Sequence, residues 1–221
     1  MKSLLQITLI PICILCSLIS CIVPESTHVK PQFHLLSKSV FDQNQTASLS
    51  SQNKETNNRL IGHPFYLRQI ELPYYLQENR IVKRPKQGEI EFRENDRWGE
   101  PLTEGIGRVV GLNLSQILKS PYYSVYPHRK KIGANWEIGI TIIRFENVSN
   151  NQALLEASWE IFNANFKNGT YPFRSGKVDH LEAIQPARGK KSLIKDEVVA
   201  LSDLLGVLSE SVCRSIVSSN L

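Results

Sequence analysis

The sequence predicts a mixed α/β domain, a central sheet carrying two long helices, on three observations. Leu102, Ile106, Val109, Val110, Leu114, Ile117 and Leu118 form one apolar stripe at helical spacing. Trp136, Ile138, Ile140 and Ile142 alternate with Glu137, Gly139 and Thr141, and Leu155, Ala157, Trp159 and Ile161 alternate with Glu156, Ser158 and Glu160. That period of two is the pattern of strands with one covered face. Ile194, Val198, Leu201, Leu205, Leu208 and Val212 then make a second helical stripe.

Taken in chain order, Phe33 to Val40 reads as a first strand, and 42–58, rich in Gln, Asn, Ser and Thr, reads as a polar loop. Tyr66 to Leu72 alternates loosely and reads as a strand ending at Pro73. Arg80 to Arg84 and Glu89 to Arg93 form a hairpin around the turn Pro85-Lys86-Gln87-Gly88. The first helix begins near Pro101, which suits the first helical position because its missing N–H would be unpaired there, and ends before Pro121. Asn147 to Asn151 turns between the two alternating strands, and a third strand runs from Tyr171 and Phe173 toward Val178. The last helix opens near Ser192 as cap, with Asp196 and Glu197 in a first turn that favours negative charge. Its stripe fits a coiled-coil seam, but packing on the sheet explains a single run of this length better.

Composition bounds the function. At 221 residues, with 41% hydrophobic and 21% charged residues, the chain suits one globular domain plus a processed leader and a tether. The net charge of +5 is scattered rather than gathered on one aromatic-studded face, which argues against nucleic acid. Solvated loops explain the clusters Lys83, Arg84, Lys86 and Arg129, Lys130, Lys131. Three of four cysteines lie in the first 21 residues, and Cys213 alone sits in the body, as a buried small apolar residue. Neither a disulfide framework nor a zinc spacing can be built, so no metal and no cofactor are expected.

The N-terminus is the most informative stretch. Lys2 precedes a short apolar run interrupted by Pro11, the layout of a secretory signal peptide. The run closes on Leu18-Ile19-Ser20-Cys21, which resembles the lipobox of bacterial lipoproteins, with a small residue before the cysteine. The expectation is cleavage after residue 20, lipid on Cys21, a short tether over 21–32 and a domain over 33–221. Ile22, where an aspartate would signal retention in the inner membrane, leans toward the outer membrane. Two or three acyl chains hold such a protein stably, at about 0.8 kcal/mol per buried methylene. In an exported bacterial chain the sequon at Asn113-Leu114-Ser115 is coincidence, and Asn113 falls in the first helix.

Catalytic patterns are weak. No HExxH, GxSxG elbow or phosphate-binding glycine loop occurs. Asp179-His180 has the residue types of an orienter and base, but a solvated strand-end pair explains it better. The distinctive stretches are Ile70-Glu71-Leu72-Pro73-Tyr74-Tyr75-Leu76 leading into Arg80-Ile81-Val82-Lys83-Arg84, and Arg97-Trp98-Gly99-Glu100-Pro101-Leu102. In this order after a lipobox they resemble the signatures of the ABC-type transport auxiliary lipoproteins, also called PqiC-like. The match continues through Asn113-Leu114, Ile138 to Phe145 and Leu154 to Trp159. Departures are the polar insertion at 42–58 and a lysine-rich loop near Lys190.

The resemblance implies a non-enzymatic, lipid-anchored periplasmic component of an ABC/MCE-type intermembrane lipid transport system, docked at the outer membrane. Its partners would be MCE-domain or ABC transporter components, and a homo-oligomeric ring is compatible with that role. The nominated partner contacts are Tyr74, Tyr75, Trp98, Glu100 and Pro101, with a core position the stronger reading for Trp98. A structural lipoprotein of the envelope or a secretion apparatus is the alternative, and a hydrolase built on Asp179-His180 is the third.

Overall fold

A computed structural model describes residues 29–39, 62, 64–129, 133–148, 151–163, 172–185 and 193–218. Cys21, the polar loop 42–58 and Ser192 lie outside the described residues. Residues 31–221 form one compact unit, and of the unit 1–30 only Val29 and Lys30 are described.

Eight strands make one mixed sheet: β1 (Gln32–His34), β2 (Phe65–Leu67), β3 (Arg80–Arg84), β4 (Glu91–Trp98), β5 (Tyr123–Val125), β6 (Trp136–Val148), β7 (Gln152–Asn163) and β8 (Arg174–Ala183). Two α-helices, α1 (Leu102–Ile117) and α2 (Ile194–Val217), and one 3-10 turn over Tyr74–Leu76 complete the unit among the described residues. The sheet is organised around the long strand β6. One of its edges carries β7 and then β8, all antiparallel. The other edge is shared, with β2 pairing parallel to its start and β3 parallel to its end. From β2 the sheet continues to β5, and from β3 to β4 and β1.

The apolar stripes explain the layering. Ile138, Ile140, Ile142, Leu155, Ala157 and Ile161 put their side chains on one face and are buried there with both helix stripes. Helix α2 packs on β7, β8 and α1, so the sheet-packing reading of its stripe holds. Trp159 donates its indole N–H to Ser211 of α2 at 3.2 Å, and lies where a Cβ on Gly176 of β8 would come within 2.4 Å of its ring. Helix α1 approaches β5 as closely: a Cβ on Gly111 would meet Val125 at 2.7 Å. Cys213 is fully buried, and desolvation pushes its thiol pKa well up, as for an inert core thiol.

Several predicted boundaries move. The first strand is only Gln32–His34, because the chain then leaves the sheet to run across the helices: Ser39 donates its backbone N–H to Asn113 of α1 and its hydroxyl to the Ser202 carbonyl of α2. The strand predicted over Tyr66 to Leu72 pairs as β2 only over Phe65–Leu67, though Glu71 still bridges Thr141. Strand β4 is longer than the predicted Glu89 to Arg93 and ends at Trp98. Pro101 caps α1 from outside with extended backbone (ψ 130°) rather than occupying its first turn. At the start of α2, Leu193 is the cap residue and its N–H donates to Asp196 at 2.9 Å. Strand β5, three residues long and beginning two residues after Pro121, is unforeseen, being too short to show a period.

Candidate functional site

One register slip decides the chemistry of the sheet's far end. Between Ile142 and Arg144, β6 holds two residues against one of β7. Such a bulge reverses which side chains face which layer. Up to Ile142 the even-numbered positions face the helices. Beyond the slip Phe145 and Asn147 do so, and Glu146 points to the face without helices. The result is two buried carboxylates at one end of the sheet, Glu146 on one side and, bonded to the neighbouring Asn147, Glu197 on the other.

On the helix side, Glu197 of the first turn of α2 is buried. It pairs with Arg93 of β4 and accepts the Asn147 amide N–H at 2.9 Å. Its pKa is raised, burial outweighing the opposing attraction of Arg93 and Lys83.

On the helix-free side, Glu146 is 0% exposed although its two partners reach solvent. Arg84 of β3 donates its Nε–H to Glu146 Oε1 at 2.5 Å, and Arg144 of β6 donates its own to the same oxygen at 3.0 Å. That hydrogen bond is the largest of the effects that push the Arg84 pKa up. Glu146 Oε2 is enclosed with no partner among the described residues. The Arg84 guanidinium lies 5.6 Å from the centre of the Tyr75 ring, and the Tyr75 hydroxyl donates to the Ile143 carbonyl at 3.4 Å. Burial first, then the charge of Glu146, raises the Tyr75 pKa to about 12. An open cleft of about 450 Å³ borders this group, lined by Arg84, Lys86, Gln87, Arg144 and Val148.

The nominated residues are placed as follows. Tyr75 joins the Glu146 group, whereas Tyr74 beside it is 89% exposed. Trp98 is 6% exposed, within the core. Glu100 accepts hydrogen bonds from Nε and one terminal nitrogen of Arg108, and that same terminal nitrogen also donates to the Leu36 carbonyl at 3.0 Å. Pro101 is exposed at the helix cap. The loop reading of Lys83 and Arg84 is corrected: both lie on β3, and Arg84 serves a buried acid. Asp179 and His180 are successive strand residues and so point to opposite faces, and the acid nearest His180 is Glu182 at 3.8 Å. Among the described residues no cluster of His, Cys, Asp and Glu could hold a metal, and no helix is long and apolar enough to cross a membrane. Sequence reasoning missed Glu146, Glu197 and Arg93. Only the acid in a strand otherwise rich in Ile and Phe hinted at the first.

A mixed sheet with two helices on one face, and a polar, partly charged opposite face, defines this as a two-layer α/β protein. Two solved structures share the fold: an uncharacterized protein (TM-score 0.63, 15% identity, 85% of this chain and 99% of that chain), and protein XCC0632 from Xanthomonas campestris, assigned to the family DUF330 (TM-score 0.59, 12% identity, 84% of this chain and 95% of that chain). A search of curated proteins finds no match. The profile of the ABC-type transport auxiliary lipoprotein component matches residues 45–212. The chain belongs to that family, and with it to membrane-anchored lipoproteins of the cell envelope that serve transporters.

Proposed function

We propose that the chain is exported, cut before Cys21 and lipidated there, and acts at the outer membrane as a non-enzymatic auxiliary component of an ABC/MCE-type intermembrane lipid transport system. The observation that carries this reading is the family match over 45–212 directly behind a leader that ends in Leu18-Ile19-Ser20-Cys21. The domain begins about ten residues after the anchor, a stretch that spans at most ~35 Å fully extended, so it works close to its membrane. Exposed groups beside the fold's polar face, such as Tyr74, are the contacts such a component offers a partner.

The test is cross-linking in whole cells followed by capture of the protein and identification of what is bound to it. Recovery of an MCE-domain protein or a transporter subunit by the wild type, and its loss with Cys21→Ser, is the expected result. Recovery of secretion or envelope-scaffold proteins in their place would favour the structural alternative and overturn the transport role. A Cys21→Ser protein that still fractionates with the outer membrane would overturn the anchor.

A further inference from the structure

Arg84 and Arg144 both spend their Nε–H on one oxygen of Glu146; Arg84 also engages the Tyr75 side chain, while the terminal nitrogens of Arg144 have no hydrogen-bond partner among the described residues. One carboxylate therefore fixes the direction of two guanidiniums but neutralises only one of them. Lys86, in the hairpin turn at the same cleft, is exposed, and its ammonium has no partner among the described residues. Three cations against Glu146 leave an excess of two positive charges. Glu156, opposite Arg144 on β7, makes no ion pair among the described residues, and counting it still leaves an excess of one. Holding three like charges together around an open cleft costs free energy unless an anion joins them. Paired guanidinium forks match the geometry of phosphate oxygens, and an ammonium adds a point charge.

We infer that this cleft is a binding site for a phosphate group, in which Arg84 and Arg144, held by the buried Glu146, supply the fork and Lys86 closes the mouth. The volume of about 450 Å³ admits a phosphate with its substituents, so the source is either a phospholipid headgroup or a free phosphate compound. Because the site stands on the cleft alone, failure of the transport reading leaves it intact.

The experiment is calorimetric titration of the protein as purified from cells, in non-ionic detergent at low ionic strength. Two probes are used: inorganic phosphate, and dihexanoyl phosphatidate below its micellar concentration. Loss of one charge-assisted contact should weaken binding about tenfold, so Arg144→Gln should do so, and Lys86→Glu, which also adds a charge that repels the anion, should weaken it more. Lys86 has no structural partner, so the second variant folds whatever becomes of the first. Lys177→Glu, an equal charge change on an exposed position of β8, should leave affinity unchanged. Equal affinity for the two probes would identify free phosphate as sufficient, and tighter binding of phosphatidate would identify a lipid headgroup. Both results support the cleft. Wild type that binds neither probe, or a Lys177→Glu variant weakened as much as Lys86→Glu, would overturn it.

Discussion

Glu197 and Glu146 are both buried acids anchored at the same end of the sheet, yet their surroundings differ in one countable way. Glu197 has one guanidinium, that of Arg93, and an amide. Glu146 has two guanidiniums on a single oxygen and an open cleft beyond them. The first arrangement is a closed pair joining β4 to α2. In the second, the acid serves to place more positive charge than it cancels. Both involve burial, so burial alone does not separate structural ion pairs from binding sites; the count of guanidiniums and the open cleft beyond them do.

The largest effect expected from this difference is on the closed pair. Arg93→Met leaves Glu197 buried with no guanidinium, and should cost about 3 kcal/mol in urea denaturation, the low end for a broken buried pair because Arg93 is partly solvated. Adding Glu197→Gln should recover most of that loss. The pH dependence has a definite sign. Glu197 has a folded-state pKa raised above its unfolded value, so its contribution is full at low pH and is lost as pH rises through the folded value. Without Arg93 the shift grows, so the Arg93→Met deficit should shrink as the medium is acidified. A deficit independent of pH would remove Glu197 from the explanation.

Removing one arginine from the other acid should matter less. Arg144→Met leaves Arg84 on Glu146 Oε1, and both arginine side chains reach solvent, so the cost should stay near about 1 kcal/mol. A loss as large as that of Arg93→Met would show that the second guanidinium is structural, and would erase the distinction between the two sites.

How much of this could be read in the chain depends on what each feature requires. The two helices and β6 and β7 were legible because their apolar residues repeat with an unbroken period over four or more positions. Strand β5 and the shortened β1 and β2 were not: three residues have no period, and their boundaries are set by tertiary partners such as Asn113 and Ser202. The Glu146 group was hidden for a different reason. An alternating reading of β6 ends at Ile142, and only the register slip there places Glu146 opposite the helices and beside Arg84, which lies 62 residues earlier in the chain. Glu197 was read as a charge favourable to the first turn of the helix. That was right about position, but the carboxylate turns inward because Arg93 and Asn147 wait beneath it.

Tyr75 sharpens the comparison at high pH. Its pKa is raised to about 12 by burial and by Glu146. Between about pH 10 and pH 12 the unfolded chain loses this proton while the folded chain keeps it, so stability should fall with rising pH across that window. Tyr75→Phe should flatten this part of the alkaline fall. A slope left unchanged would mean that the hydroxyl is more solvated than its place between Arg84 and Glu146 requires.

The smallest expected effect is the one that isolates the open site. Lys86 sits exposed in the turn between β3 and β4, and its ammonium has no partner among the described residues. Lys86→Gln should therefore shift folding stability by no more than about 0.5 kcal/mol, the usual range for a surface change. The sign is informative: if three cations around the cleft repel one another, removing one should leave the protein equal or slightly more stable in phosphate-free, low-salt buffer. High salt should cancel that gain, since screening weakens exposed charge interactions beyond about 10 Å at 0.1 M. A clear loss of stability would mean that Lys86 pairs with an acid, and the excess charge that distinguishes Glu146 from Glu197 would be gone.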